Sequence, residues 1–184
     1  MNKILNKFTP ISEHLKTVLS QNVTKKEFPK GHVLLQKDSV CKSLYLVEQG
    51  FLRGFYFQDG SDKTLWFASE NDIATSMYSF ISQKPSLEII EVVEKSILYS
   101  IDYEQLQHLY ETYPELNLIG RLLTEKYYIE MEERVSSLQF QTAEERYRNI
   151  IENKPSLLQK ASLGQIASYL GITQETLSRI RKKI

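Results

Sequence analysis

Hydrophobic and polar positions follow two different periods along the chain. From about residue 23 to residue 102, short runs of β-branched and aromatic residues alternate with turn residues such as Gly31, Gly50 and Gly54. Many short strands at close spacing are typical of a β-sandwich or barrel. We interpret these runs as strands: VLLQ at 33–36, SLYLVE at 43–48, FLRGFYF at 51–57, KTLWFA at 63–68, EIIEVV at 88–93 and SILYSI at 96–101.

Turn and helix signals surround these runs. Asp59-Gly60 is a dipeptide typical of a tight hairpin turn. Residues 10–20 carry apolar side chains at helical spacing, which predicts a short amphipathic helix. After the last strand, Asp102 is a suitable N-cap for a helix over 103–111. A β-rich region is therefore predicted between helical segments.

A long uninterrupted helical stretch follows Pro114, over roughly 115–139. It has two apolar sides, one of which carries Leu118, Leu122 and Ile129. A helix of this kind can pack on its own domain and on a second copy, which predicts a homodimer. The other side is the stripe that we predict at the dimer contact: Leu116, Ile119, Leu123, Tyr127 and Met131. A single packed helix with a wide core face is the alternative.

Helix signals are densest near the C-terminus. Thr142 with Glu145, and Ser162 with Gln165, have the spacing of capping boxes at two helix starts. Gly171 follows the second of these helices as a predicted tight turn. Two helices that meet at such a turn indicate a helix-turn-helix.

The last helix, predicted over 174–183, has one apolar and one polar side. Leu177 and Ile180 supply inward contacts, and the remaining positions suit a DNA groove. Arginine pairs with guanine, glutamate accepts from cytosine, and basic side chains hold phosphates. The residues predicted to contact DNA are Thr173, Gln174, Glu175, Ser178, Arg179, Arg181 and Lys182. Basic residues also complement the dipole at a helix end, which is the structural alternative.

The overall charge of the chain does not by itself indicate a DNA partner. Lys plus Arg and Asp plus Glu both number 23, so attraction to DNA must be local. The single cysteine, Cys41, excludes an internal disulfide, and no Cys-His spacing indicates a metal site. No catalytic motif is present, so we predict that the protein is not an enzyme, and no cofactor is identified. Without a signal peptide or membrane span in the sequence, we predict a cytoplasmic protein that contacts no membrane.

These motifs together resemble the Crp/Fnr family of bacterial transcription regulators. Glu175-Thr-Leu-Ser178-Arg179 is similar to the family's recognition helix. FPKGHVL from Phe28 and SLYLVEQGFLR from Ser43 are similar to the first strands of its cyclic-nucleotide-binding jelly roll. The resemblance implies an α+β chain with three parts: a β jelly-roll sensor barrel over 1–112, a long dimerisation helix over 113–140 and an all-α helix-turn-helix domain over 141–184.

The resemblance also implies partners. In the family, Glu and Arg of the recognition helix read a TGA-like core in each half of a palindrome. Carried over, Glu175, Ser178 and Arg179 would read double-stranded DNA, and Gln174 would add a contact of its own. RNA polymerase and a small-molecule effector are further expected partners. The family usually continues into a wing hairpin beyond the position of Ile184. Either this branch has a minimal DNA-binding part or the sequence is cut there, and fewer phosphate contacts would give weaker affinity and a shallower salt dependence.

One departure from the family concerns the phosphate-binding cassette. The family has a Gly-Glu pair and, about ten residues on, an Arg-Ser pair, where this chain has Thr75-Ser76 and Ser86-Leu87. No Arg occurs from Gly54 to Gly120, so cyclic AMP binding is not expected. The candidate effector-pocket residues are Thr75, Ser76, Met77, Ser86 and Leu87. A pocket for an apolar or uncharged ligand and an empty barrel that serves as a scaffold both remain open.

A second class of function is a ligand-binding regulatory module that acts through protein partners, in the manner of a kinase regulatory subunit. The missing arginine of the cassette counts against this class. A module of this class would also leave the polar face of the last helix without an explanation. A DNA interaction that is sensitive to salt would favour the regulator.

Overall fold

The computed structural model describes residues 12–58 and 60–184, and its β-rich region forms one antiparallel sheet rolled into a barrel. The strand order is β1-β6-β3-β4, with β2 paired to β6 and β5 paired to β3. The strands are β1 (Thr24–Phe28), β2 (Val33–Leu35), β3 (Ser43–Gln58), β4 (Ser61–Ala68), β5 (Ile73–Ala74) and β6 (Ile89–Asp102). Helix α1 (Glu13–Asn22) precedes the sheet, and α2 (Met77–Ser82) lies between β5 and β6.

Two long strands replace four of the predicted short ones. β3 covers both of the predicted strands at 43–48 and 51–57. β6 covers the predicted strands at 88–93 and 96–101, except for residue 88. The prediction of separate strands is wrong because the β3–β6 ladder continues through register shifts between Val47 and Leu52. Gly50 lies at this bend with φ of 114°, and a Cβ there would collide with Ser96. The glycine therefore bends the strand without ending it.

Two strands escaped the sequence pattern. β1 has the sequence TKKEF, with four exposed residues and one half-buried phenylalanine, so it shows no apolar alternation. It is a strand because it pairs along the edge of β6 from Thr24 to Phe28. β5 has only two residues, which is too short for any periodicity.

The predicted turn and the first helix lie partly outside the described residues. β3 ends at Gln58 and β4 begins at Ser61, and Gly60 has φ of 74°, as a tight hairpin requires. Asp59 itself lies outside the described residues. The helix predicted over 10–20 begins at Glu13 with Ser12 as its N-cap, and Ile11 and Pro10 also lie outside them.

Helices α3 (Tyr103–Thr112) and α4 (Pro114–Phe140) close one side of the barrel. Asp102 stands at the predicted N-cap position, but its carboxylate accepts a hydrogen bond from Ser43 Oγ at 2.6 Å and does not cap the helix. The barrel core contains Leu52, Ile90 and Leu98, and α1, α3 and the first part of α4 pack against it.

The predicted dimer stripe of α4 requires a correction. Leu116 and Ile119 are buried in this chain's own core, and Leu123 packs against that core. These side chains therefore offer no surface to a second copy. The other apolar side of the helix is the exposed one, with Leu118 40% and Ile129 56% exposed.

The C-terminal helices are α5 (Ala143–Asn153), α6 (Leu157–Lys160), α7 (Leu163–Tyr169) and α8 (Gln174–Arg181). The capping boxes of Thr142 with Glu145 and of Ser162 with Gln165 are confirmed. These helices share a second core with members from each of them: Tyr147, Ile150, Leu157, Ile166, Ala167, Leu170, Leu177 and Ile180. Among the described residues, no helix is long and apolar enough to cross a membrane.

Candidate nucleic-acid interface and ligand cavity

The crossing of α7 and α8 is set by small and apolar residues at their contact. Ala167 is 2% exposed, which lets the two helices approach closely. Gly171 has φ of 70°, and a Cβ there would lie 3.2 Å from Leu138 Cδ2 of α4. Leu177 and Ile180 are buried in the shared core, so the opposite side of α8 faces solvent.

All seven residues predicted to contact DNA are exposed on this side or just beyond it. We call them the recognition surface: Thr173, Gln174, Glu175, Ser178, Arg179, Arg181 and Lys182. The structure brings them together as one continuous strip along a single short helix. Such a strip can present several donors and acceptors to adjacent base edges.

Thr173 and Glu175 are organised by the start of α8. Thr173 Oγ1 accepts from the Thr176 amide at 3.2 Å, so this hydroxyl caps the helix. The Glu175 carboxylate is hydrogen-bonded to its own amide, and this bond, the Thr173 hydroxyl and the charge of Arg179 lower the pKa of Glu175. Glu175 is therefore ionised and acts only as an acceptor, the form that a cytosine amino group requires.

Two arginines join the end of α7, which precedes the recognition surface, to the long helix. Arg134 of α4 donates to the Tyr169 carbonyl oxygen, and its guanidinium lies 4.1 Å from the centre of the Tyr169 ring. Arg146 of α5 donates from Nε to the Leu170 carbonyl at 3.0 Å and from Nη1 to Ser137 O at 3.3 Å, and Nη1 also donates to the Gln141 carbonyl. Neither contact was predicted from the sequence, since nothing local marks an arginine that bonds carbonyls of other elements.

The C-terminal helices also contact the barrel directly. Ser168 Oγ of α7 donates to Asp62 O at 3.0 Å and accepts from the Thr64 amide at 2.8 Å. Lys160 Nζ lies 3.1 Å from Glu70 Oε1 and 3.8 Å from Glu94 Oε2, both of the barrel. Two hydrogen bonds therefore join β4 to α7.

The five predicted effector-pocket residues do not form one site. Ser76 and Ser86 are fully buried, and Ser86 Oγ donates to Ser76 Oγ at 3.0 Å and accepts from the Glu88 amide at 2.9 Å. Leu87 is 62% exposed at the surface. Only Thr75 and Met77 line a cavity. The serines are therefore structural, because their hydrogen bonds are made within the protein.

The charged groups near the cassette disfavour the binding of an anion. Glu88, which sequence reasoning missed, is 8% exposed and accepts from Trp66 Nε1 at 3.1 Å. Burial raises the pKa of Glu88. Arg53, on β3, is also buried, but it is paired with Asp62 and with Glu91, whose Oε2 lies 2.9 Å from its Nε. A bound phosphate would meet a carboxyl here and no uncommitted guanidinium.

A cavity among the described residues has a volume of about 610 Å³. Its walls come from the barrel, from α3 and α4, and from the 153–157 segment between α5 and α6. We call it the junction cavity. No group of three or more His, Cys, Asp or Glu side chains among the described residues could hold a metal ion.

Known proteins share this architecture. Residues 25–113 match the family model described as "Cyclic nucleotide-binding domain". The "Fumarate and nitrate reduction regulatory protein" of Vibrio cholerae is 26% identical, and the "Electron transport regulator A" of Shewanella oneidensis is 24% identical, each over 169 residues. Each alignment covers 85% of this chain and 66% of the relative, so part of each relative has no counterpart here.

Solved structures agree in fold at lower identity. A CooA mutant from Carboxydothermus hydrogenoformans has a TM-score of 0.72 and 17% identity, over 94% of this chain and 80% of that one. FixK2 from Bradyrhizobium japonicum has a TM-score of 0.73 and 18% identity, over 88% and 83% of the two chains. A barrel that matches the cyclic nucleotide-binding domain, a long helix and a helix-turn-helix follow one another along this chain, which shares its fold with both of these structures.

Proposed function

We propose that the protein is a transcription regulator that binds a palindromic site in double-stranded DNA as a homodimer. The observation that carries the proposal is the recognition surface. Glu175, Ser178 and Arg179 are exposed on the second helix of a capped helix-turn-helix whose apolar side is fully engaged by its own core. A polar helix face fixed in this way is suited to the major groove.

Each residue of the recognition surface has a proposed role in this groove. Arg179 donates two hydrogen bonds to guanine, and ionised Glu175 accepts from the cytosine amino group. Ser178 and Gln174 adapt to either partner. Arg181, Lys182 and the start of α8 at Thr173 hold phosphates and fix the orientation of the helix on the duplex.

The dimer contact is proposed on the exposed side of α4. Leu118, Leu122 and Ile129 follow one another along this side, and all three are at least partly exposed. Of the stripe first predicted, Met131 is 40% exposed, and Tyr127 is half-buried and lines the junction cavity. A two-fold axis along the exposed side would place the two recognition helices about 34 Å apart, one turn of DNA.

Cyclic AMP is not proposed as the effector. The support is the cassette itself, where the serine hydroxyls bond to each other and the buried ionisable group is Glu88. RNA polymerase is a further partner expected of a regulator of this class. No catalytic step is assigned to any residue, in keeping with relatives that are regulators.

The test is a selection of bound sequences from random duplex DNA, with the purified chain and no added ligand. We expect a palindrome with TGA-like half-sites. The same selection with Arg148→Ala, which changes an exposed arginine of α5 outside the recognition surface, is the matched control and should return the same palindrome. An asymmetric product, or none from a chain shown to be folded and dimeric, would contradict the proposal.

A further inference from the structure

The junction cavity lies where three parts of the molecule meet. The barrel part contributes Trp66 of β4, Thr75 and Phe80 of α2 to the lining. The long helix α4 contributes Leu123 and Tyr127, and the C-terminal helices contribute the 153–157 segment. Its volume of about 610 Å³ is within the range of small-molecule sites. A molecule bound there would touch the barrel, the long helix and the DNA-binding part at once.

Several aromatic side chains line the junction cavity. They come from the barrel, from α3 and from α4: Trp66, Phe67, Phe80, Tyr103, Tyr110 and Tyr127. Burial raises the pKa of Tyr110, and burial together with the charge of Glu88 raises the pKa of Tyr127 to about 12. The phenols are therefore neutral hydrogen-bonding groups on flat apolar rings, which suit the faces and edges of another aromatic ring.

The charges around the cavity disfavour an anion. Glu88 is buried behind Trp66, and Asp72 and Glu130 belong to the lining. Of the two lysines in the lining, Lys126 is paired with Glu130 at 3.5 Å, and Lys154 is exposed at the surface. An anion inside the cavity would meet these carboxylates without a buried cation, which is unfavourable.

We propose that the junction cavity binds an aromatic molecule that carries no negative charge. The proposal deepens the proposed function by naming the class of effector. The site differs from the serine cassette, since Ser76 and Ser86 do not line it. A ligand there would also press on the 153–157 segment, which leads into α6 and the contact of Lys160 with the barrel.

Trp66 makes the test direct, because it is the only tryptophan of the sequence and it lines the cavity. The full chain is titrated, without DNA, with three probes that share one ring system: biphenylmethanol, biphenylmethylamine and biphenylacetate. Tryptophan fluorescence, excited beyond the absorption of the probes, is recorded. We expect saturable changes with the alcohol and the amine, and binding of the acetate weaker by at least about tenfold.

Two threonine variants locate the binding. Thr124 is an exposed residue of α4 that lines the cavity, and its hydroxyl bonds the Gly120 carbonyl. Thr17 is an exposed residue of α1 that does not line the cavity, with the same type of bond to the Glu13 carbonyl. Thr124→Phe should weaken binding of the alcohol at least about tenfold, while Thr17→Phe should leave it unchanged.

Three outcomes would overturn the proposal: equal affinity for the acetate and the amine, unchanged affinity in Thr124→Phe, or no fluorescence change with any probe. Circular dichroism of both variants shows whether a loss of binding reflects unfolding, and a Thr124→Leu variant repeats the test if the phenylalanine is not tolerated. The leucine side chain should still weaken binding of the alcohol at least about threefold. Because no DNA is present, failure of the proposed DNA function would leave these titrations unaffected.

Discussion

The barrel and the C-terminal helices use polar side chains in opposite ways. In the barrel, the hydroxyls of Ser76 and Ser86 lie 3.0 Å apart and are fully buried, so their hydrogen bonds are made inside the protein. On α8, Glu175 and Arg179 are exposed, and their contacts stay within their own helix. A buried, satisfied group recognises a ligand only if it gives up an existing bond, whereas an exposed one exchanges water for its partner.

The arginines show the same difference. Arg53 of the barrel is buried between two carboxylates, Asp62 and Glu91. Arg179 of α8 is exposed, with a single 3.3 Å contact to Thr176. Arginine content alone therefore does not locate an anion site; what decides is whether the guanidinium is already paired. Arg53 is therefore unavailable to a phosphate, whereas the guanidinium of Arg179 is accessible from solvent.

The largest effect is expected at the long helix that joins these two regions. Ile129→Glu places a charge on the exposed apolar side of α4, where burial against a second copy would be unfavourable. Sedimentation should show monomers, and affinity for the palindrome should fall by at least about 100-fold. Met131→Glu, on the opposite side of α4 from Ile129, is the control and should leave the dimer intact. A dimer that survives Ile129→Glu and dissociates with Met131→Glu would return the contact to the stripe first predicted.

Arg179→Ala should show the next largest effect, on specificity alone. Loss of a bidentate arginine–guanine pair is worth about 1–3 kcal/mol, so binding to the selected site should weaken by about thirtyfold. Binding to random DNA should change little, and the melting temperature should stay the same because Arg179 is exposed. Fluorescence anisotropy with both DNAs measures the difference. Lys183→Ala is the matched comparison and should weaken both DNAs about equally.

A substitution in the barrel should have the opposite effect, a loss of stability without a loss of DNA affinity. Ser86→Ala removes a buried hydroxyl that bonds Ser76 and the Glu88 amide, and should lower the free energy of unfolding by about 1–3 kcal/mol. Affinity for DNA should not change in the folded protein. A loss of affinity without a loss of stability would mean that the buried serines take part in signalling, and the contrast between the two regions would fail.

Arg146→Met tests how firmly the recognition surface is oriented. The variant removes donors to three carbonyl oxygens, at Ser137, Gln141 and Leu170, which join α4 and α5 to the end of α7. We expect the preference for one spacing between half-sites to fall by about tenfold, as the angle between α8 and α4 becomes less defined. Arg148→Met, on the exposed side of the same helix, is the control. An unchanged spacing preference would assign Arg146 to stability alone.

How far the sequence predicts these features depends on the range of the interactions involved. The recognition surface follows from local rules: the helical period buries Leu177 and Ile180, and Thr173 caps the helix. Both capping boxes, and the turn at Gly171, are likewise encoded within four residues. The exposed positions were therefore predicted correctly, and their contacts with DNA stay a prediction.

Features that depend on distant pairing were not predictable in the same way. The sequence shows two apolar sides on α4, but only the position of the barrel decides that Leu116 and Ile119 are the buried ones. The pairing of Arg53 with Glu91 spans 38 residues, and the bond from Trp66 to Glu88 spans 22. No local period contains this information, which is why the cassette was misread as a pocket and Glu88 was overlooked.

The smallest effect is expected from Glu88→Gln, and it tests whether the barrel holds a neutral carboxyl. Burial raises the pKa of Glu88, so the folded state binds its proton more tightly than the unfolded state does. Such a group destabilises the fold as pH rises through its folded pKa, and the effect disappears below the pKa of the unfolded chain. Glutamine resembles the protonated form and keeps an oxygen that can accept from Trp66 Nε1.

At neutral pH the Glu88→Gln variant should therefore be more stable than the original chain by about 1 kcal/mol. Near pH 4, where about half of unfolded Glu is protonated, the stabilities of the two chains should converge. Urea titrations at several pH values measure this, with Glu104→Gln at an exposed position of α3 as the control. A variant that is less stable at neutral pH would show that the carboxylate is stabilised in the folded barrel, and the region would then hold a buried negative charge that attracts a cationic ligand in preference to a neutral one.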